Sequence, residues 1–512
     1  MKKRSVMLIS IVLLLSLVLS ACGGGGGKTE GGAKDKLTVA TAADATTLDP
    51  SAQNDSYASN VMSQIYDGLI EIDQDGVVHE KLAESYETPD NLTYIFHLKK
   101  GVKFHNGEEL KASDVKFTFD RALKSPAVAH IFADIDPDSL ETPDDYTFQF
   151  KLKEPYAGTL EALCHPAAFI VNEKAVTEAG DKYATNPVGT GAFKFVSWSK
   201  AHNVVLERFE DYHAELPVFK TLAFIIIPEG TNRIIELETG GVDIAMDIAP
   251  NDVSKVEGND ELKALKIADY GTTFMGINTQ KEQFKDPRVR QAIAYSIDLE
   301  AIVGAVWKGV GRAASAPYTG SIKYSIAEDR PVTKRDPEKA KQLLAEAGYP
   351  DGFSCKITTN ERQERIDAAT IMKEDLKEVG IDVTVEVLEW SAFIEMLENG
   401  EQDMYIMAWI SDSPDPDMVV YPCFHSSMAG PGGNYSFFND PECDEMIVTG
   451  RRTPDGDERK QIYEDLQERI MELVPSIFIY NSEIVIGTRN NIENVQLTPF
   501  GYHRFYPVTF KE

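Results

Sequence analysis

Between residues 286 and 410 the apolar positions change period repeatedly, from helical spacing to strict alternation, and this constrains the fold more than any other feature. Asp286-Pro287 opens a helix as cap and first-turn proline, with Val289, Ala292 and Ile293 on one face. Asp336-Pro337 opens a second, which carries Ala340, Leu343, Leu344 and Ala347 and stops at Gly348. A third carries Ala368, Ile371, Met372, Leu376 and Val379 and stops at Gly380. Ile381, Val383, Val385 and Val387 then alternate with polar residues, which predicts a strand. A short helical stretch from Ser391 leads into Tyr405-Ile406-Met407-Ala408-Trp409-Ile410, a buried strand. Helices alternating with strands predict an α/β domain with a largely parallel sheet.

With 512 residues the chain is too long for a single core, so two or three domains are expected. Residues 37–42 read as a buried strand, and residues 66–110 are rich in β-formers and turn signals. Tyr94-Ile95-Phe96-His97-Leu98 and Val102-Lys103-Phe104-His105, joined by Lys99-Lys100-Gly101, read as a hairpin. Ser113 is the expected cap of a helix bearing Val115, Phe119 and Ala122. Pro187-Val188-Gly189-Thr190-Gly191 is a turn cluster that suits a subdomain boundary. The formal charge of −31, from 51 basic and 82 acidic residues, disfavours nucleic acid and anionic lipid surfaces as partners. Any tie to a membrane is therefore expected to be covalent.

The first residues suggest such a tie. Lys2, Lys3 and Arg4 precede an apolar run over residues 6–18, too short to cross a roughly 30 Å hydrocarbon layer but suited to an export signal. Leu19-Ser20-Ala21-Cys22 resembles a bacterial lipobox, in which the Cys22 thiol is acylated and becomes the first residue after cleavage. The glycines at 23–27 would supply a flexible leash. The expected order is a signal over 1–21, then a linker over 22–36, with the protein on the outer face of the cytoplasmic membrane, or in the periplasm of a Gram-negative cell. Cys164, Cys355, Cys423 and Cys443 remain, and Cys423 with Cys443, flanking a glycine-rich loop, is the favoured disulfide among three complete pairings.

Several stretches, in order along the chain, resemble the extracellular solute-binding proteins, family 5, of peptide and nickel ABC transporters. They are Tyr66-Asp67-Gly68-Leu69-Ile70, the run from Leu82-Ala83-Glu84-Ser85 through Gly101-Val102-Lys103-Phe104-His105-Asn106-Gly107 to Asp114-Val115-Lys116-Phe117-Thr118-Phe119, Pro187-Val188-Gly189-Thr190-Gly191, Phe284-Lys285-Asp286-Pro287-Arg288-Val289-Arg290-Gln291-Ala292, and residues 336–348. The resemblance implies a type II periplasmic-binding-protein fold of α/β class, with two lobes about a hinge cleft and an extra β-rich subdomain in the first lobe. It places the core of the first lobe at 37–55, 188–275 and 484–512, the subdomain at 56–187 and the second lobe at 276–483. It implies a monomer that captures short peptides and passes them to an ABC permease, with no cofactor. Nickel, an oligosaccharide or haem are the alternative ligands.

A bound peptide presents an ammonium, a carboxylate and unpaired backbone groups, and leaving a buried charge unpaired costs about 3–5 kcal/mol. Trp409-Ile410-Ser411-Asp412-Ser413-Pro414-Asp415-Pro416-Asp417 brings three carboxylates to the end of a strand, where ligands of α/β domains bind. The resemblance assigns the ammonium to Asp412 and main-chain bonding to Ala408, Trp409, Ile410 and Ser411. Arg362 and Arg365, just before a helix, are candidates for the carboxylate. Tyr435, in Asn434-Tyr435-Ser436-Phe437, and Thr46, after the first strand, are candidate lining residues. Ser113-Asp114-Val115-Lys116 and Ser197-Trp198-Ser199-Lys200 fit an S-x-x-K pattern without its accompanying elements, which argues against an enzyme. The scattered histidines form no metal-ligand spacing.

Overall fold

The computed structural model describes residues 35–511 apart from Asp75 and Asp412. The expected signal segment, Cys22 and the leash as far as Lys34 lie outside the described residues.

One large sheet organises the chain. Its ten path strands are β1 (Lys36–Thr41), β2 (Phe193–Ser199), β3 (Asn203–Arg208), β4 (Thr221–Ile226), β5 (Ile244–Ala245), β6 (Leu262–Ile277), β7 (Phe353–Asn360), β8 (Ile381–Leu388), β9 (Met404–Ile410) and β10 (Ser476–Arg489). Across the sheet they run β8-β7-β9-β6-β10-β5-β1-β4-β3-β2, and a two-residue strand, Arg312–Ala313, also pairs with β10. Strand β7 is parallel to both β8 and β9, and β1 is parallel to β4 and β5.

The helices of the second half begin where their sequence signals lie. Asp286 accepts from the Arg288 N–H, and Asp336 from the Lys339 N–H. Gly380 has φ +89°, a left-handed stop that suits glycine, and β8 follows it directly. These helices bury Ile293, Leu344, Met372 and Leu376 against one face of the β6–β9 end of the sheet. The opposite face packs Tyr405, Met407, Tyr463 and Leu466. At the other end, Leu37, Val39, Leu222 and Phe224 form one core and Leu237, Ala245 and Val256 another. Strands β6 and β10 belong to both ends, with Leu262 in the last of these cores and Ile277 in the first. These are the two lobes of a periplasmic-binding-protein-like fold.

A separate antiparallel sheet, in the order Ala83–Glu87, Thr93–Leu98, Thr147–Lys151, Glu141–Asp144, forms the β-rich subdomain. Phe148 and Phe150 pack there against Phe119 of the helix Ala112–Ala122, and Phe96 stacks on Phe150. The hairpin expected across Lys99-Lys100-Gly101 does not form. Both edges of Thr93–Leu98 are already taken, by Ala83–Glu87 and Thr147–Lys151, so residues 102–105 run as a loop that buries Val102 and Phe104. Ser113 is not the cap either. Lys111 holds that position, and the Asp114 carboxylate closes the turn by accepting the Lys111 N–H at 3.1 Å. Cys423 and Cys443 are free and buried, as are Cys164 and Cys355, so the favoured disulfide is absent.

Two of the sequence motifs meet in space. The buried Asp67 accepts hydrogen bonds from Thr190 Oγ1 and His213 Nε2, each at 3.0 Å, and lies 3.8 Å from Lys81 Nζ. A Cβ at Gly189 would lie 2.1 Å from the Ile65 carbonyl oxygen, which explains the glycine there. Burial alone would raise the Asp67 carboxyl, but Lys81, His213 and Thr190 outweigh it and hold the group down to about 2. Its folded value lies below its unfolded one, so the stability it contributes is complete above about pH 4 and is lost as the pH falls toward 2. Asp67→Asn is expected to lower stability by about 3–5 kcal/mol at neutral pH. Urea unfolding followed downward in pH should show the gap to the wild type narrowing by about 2 kcal/mol between these two values.

Candidate ligand-binding site

The parallel strands of the second lobe end on the same side of the sheet, β7 at Asn360 level with β8 at Leu388, and β9 runs on to Ile410. Carboxyl ends of parallel strands are where α/β sheets open to ligands. The surface there is unusually apolar. Val387, Trp390 and Ile410 are 43%, 47% and 65% exposed, although each belongs to a residue type that normally buries.

The backbone of β9 is open on one side at this end. Bonds of an antiparallel strand alternate between its two edges. The Ser411 N–H reaches the Tyr270 carbonyl, and the Asp403 carbonyl receives the Asn278 N–H, so odd-numbered residues of β9 face β6. Ala408 and Ile410 therefore turn their N–H and C=O groups to the other edge. There β7 pairs with β9 only at Met404 and Tyr405, and Thr359 Oγ1 adds one bond to the Ile406 carbonyl. Among the described residues no strand pairs with Ala408 or Ile410 on that edge. An extended chain could add itself at this place.

Other candidate residues divide. Trp409 is half-buried, and its indole N–H donates to the Met418 carbonyl at 2.9 Å, so its side chain braces the strand. Ser411 is buried and uses its hydroxyl within the loop, donating to the Ser413 carbonyl at 2.6 Å. Arg365 is not before the helix Gln363–Glu378 but inside its first turn, where Nη1 donates to Asn360 Oδ1 at 3.0 Å at the end of β7. Burial, reinforced by Arg362, lowers its guanidinium to about 10. Arg362 precedes the helix, is exposed, and lies 3.5 Å from Glu364. Thr46 is exposed after β1, and its hydroxyl donates to Asp55 at 2.5 Å. Tyr435 corrects the sequence reading: it packs on Tyr405, and its carbonyl receives Gln402 Nε2. That is the beginning of β9, about 17 Å of strand from Ile410.

The acidic loop is also not the solvated turn that its composition suggests. Asp415 and Asp417 are buried. Arg459 Nη1 lies 2.7 Å from Asp415, and Arg451 Nη1 donates to Asp417 at 2.9 Å. Burial raises the Asp417 carboxyl to about 7, with Arg451 opposing and Asp415 adding to the rise. Asp412 lies outside the described residues. Neither arginine was signalled by the sequence, because each sits on a helix far along the chain with no motif around it. Removing one partner of a buried pair leaves the other charged and unpaired. Arg459→Leu is therefore expected to lower stability by about 3–5 kcal/mol, and the same change at Arg452, paired on the surface with Glu154, by less than about 1 kcal/mol. Parallel urea titrations check this.

Two lobes that share a central strand pair, with an open strand edge beside parallel-strand ends, define a solute-binding protein. Residues 77–431 match the bacterial extracellular solute-binding proteins, family 5 (middle region), and the chain belongs to that family. The glutathione-binding protein GsiB of Pectobacterium atrosepticum is 30% identical over 480 residues, covering 91% of this chain and 92% of that protein. Heme-binding protein A of Haemophilus influenzae is 29% identical over 478 residues, covering 87% of each. The ABC transporter-associated periplasmic binding protein DppA of Helicobacter pylori, solved in complex with the peptide STSA, is 28% identical with a TM-score of 0.76, covering 94% of this chain and 99% of that one. Members of the family are binding proteins rather than enzymes, and they act outside the cytoplasm. Among the described residues no helix is long and apolar enough to cross a membrane.

Proposed function

We propose that this chain captures short peptides outside the cytoplasmic membrane and delivers them to an ABC permease, tethered by a lipid on Cys22 and working as a monomer. The observation that carries the reading is the open edge of β9 at Ala408 and Ile410. Main-chain pairing there holds any peptide regardless of sequence, and the exposed Ile410, Val387 and Trp390 offer apolar contact to its side chains. Arg365 supplies a half-satisfied guanidinium at the end of β7 for a carboxylate. Of the three loop carboxylates Asp415 and Asp417 are already ion-paired, and the ammonium is assigned to Asp412.

The direct test is native mass spectrometry of residues 28–512 purified from the expression host. A ladder of bound masses matching peptides of different lengths is the expected result. A single non-peptide mass, such as haem or a metal chelate, would overturn the peptide reading. Asp412→Asn should weaken binding of the recovered peptides at least about tenfold, the loss of one charge-assisted pair. Ile410→Pro, which deletes one outward N–H without touching the bonds to β6, should also weaken binding. Calorimetric titration with unchanged affinity would remove either residue from the site.

A further inference from the structure

The loop that ends β9 is fastened to two bodies. Arg451, on the helix Pro441–Arg452, donates Nη1 to Asp417 at 2.9 Å and Nη2 to Asp134 at 3.0 Å. Its guanidinium lies 4.9 Å and 4.8 Å from the ring centres of Tyr156 and Tyr421. Its carbonyl accepts the Ala157 N–H at 3.1 Å. Lys323 repeats the pattern. Its ammonium donates to Glu161 and, at 2.7 Å, to Asp455, and its N–H bonds the Pro414 carbonyl at 2.9 Å. Asp134, Tyr156 and Glu161 sit among residues that line the subdomain core, where Ile131, Phe132, Ile135, Tyr156 and Ala162 are buried. Tyr421 packs on the second-lobe core, while Met418 reaches across to pack on the subdomain.

Charge makes these cations hard to replace. Five carboxylates, Asp134, Glu161, Asp415, Asp417 and Asp455, face three cations, Lys323, Arg451 and Arg459. Arg451 and Lys323 each serve one acid on either side of the junction. Glu161 and Asp417 are buried, so solvent screens these pairs little. The neighbouring Arg452–Glu154 pair is exposed and contributes little.

We propose that Arg451 and Lys323 form a two-cation clasp through which the position of the subdomain sets how firmly the β9 loop holds ligand. Both are positioning residues, and this inference rests on the proposed use of the β9 edge and loop for binding. Trp409 continues the path, since its indole bonds the Met418 carbonyl in the segment the clasp restrains. Coupling of this kind is reciprocal: if the clasp tightens ligand binding, ligand must tighten the clasp by the same factor.

Asp134→Asn tests the clasp from its far side, because Asp134 hydrogen-bonds Arg451 and acts on Asp417 of the loop only through its charge, which raises the Asp417 carboxyl. Measurements belong at about pH 8.5, above the Asp417 titration. Amide hydrogen exchange of residues 413–418 in ligand-free protein should quicken at least about fivefold, with the melting temperature changed by less than about 2 °C. Arg451→Lys, which keeps the charge but loses the planar guanidinium held against Tyr156 and Tyr421, should fall between the variant and the wild type. Dissociation of trialanine, used as the probe peptide, should quicken by a similar factor. Unchanged loop exchange would overturn the clasp, and so would faster exchange with an unchanged trialanine dissociation rate. Uniformly faster exchange throughout the subdomain with a lowered melting temperature would assign these residues to stability alone and also overturn it. Faster loop exchange in a protein whose wild type binds no trialanine would sustain the mechanical coupling and count against the peptide reading instead.

Discussion

Everything in this molecule hangs on the antiparallel pairing of β6 and β10. The two strands pair from Leu262 with Arg489 to Gly276 with Ser476, and their ends are packed into different lobes. Between Ala268 and Thr272 their register shifts, so the ladder is interrupted where the lobes meet. Close contacts frame that interruption. Ser482 donates to Asp269 at 2.6 Å, and the Tyr480 ring stacks on Trp307 at 4.2 Å. Two strands with a local irregularity can change their relative twist while the packed ends move as solids, which is the mechanical requirement for closing on a ligand.

The site uses the same sheet in a second way. A parallel sheet is normally covered on both faces and paired along both edges of its inner strands. Strand β9 keeps that rule through Tyr405 and breaks it at Ala408 and Ile410, where β7 has diverged. The result is a pair of backbone donors and acceptors with a fixed direction and no side-chain preference. On the proposed reading, specificity is left to charge at the ends of the ligand and to the apolar patch around Trp390. The proteins this chain resembles are named for ligands as different as glutathione and heme, and one was solved with the peptide STSA; a backbone-based grip with variable surroundings is compatible with that spread.

Much of the second lobe was legible because its signals are local. A capping aspartate followed by proline, a stopping glycine and a strand of alternating valines each act within a few residues. The failed hairpin shows the limit, since the partner of Thr93–Leu98 lies on Thr147–Lys151 and competes from far along the chain. The acidic loop shows it again. Its composition suggests solvent, but Arg451 and Arg459 arrive from two distant helices and bury two of its carboxylates. Proximity in sequence also misled for Tyr435, which follows the loop in the chain yet sits at the opposite end of β9. Position along a strand, not distance along the chain, decides what shares a site.

The order of strands has a consequence for how the chain reaches its folded state. In the first lobe β1 lies beside β5, and β5 needs Gly487 and Thr488 of β10 as its other neighbour. The Asn60 and Gln64 side chains likewise find their partners at His503 and Phe505. The lobe that begins the chain can therefore be completed only after almost all of it has been made. Until then its apolar strands have no complete sheet to join, and contacts of such long sequence separation form slowly. Late closure of the first lobe suits a family whose members act outside the cytoplasm, because a chain threaded through a membrane must not have completed its fold beforehand.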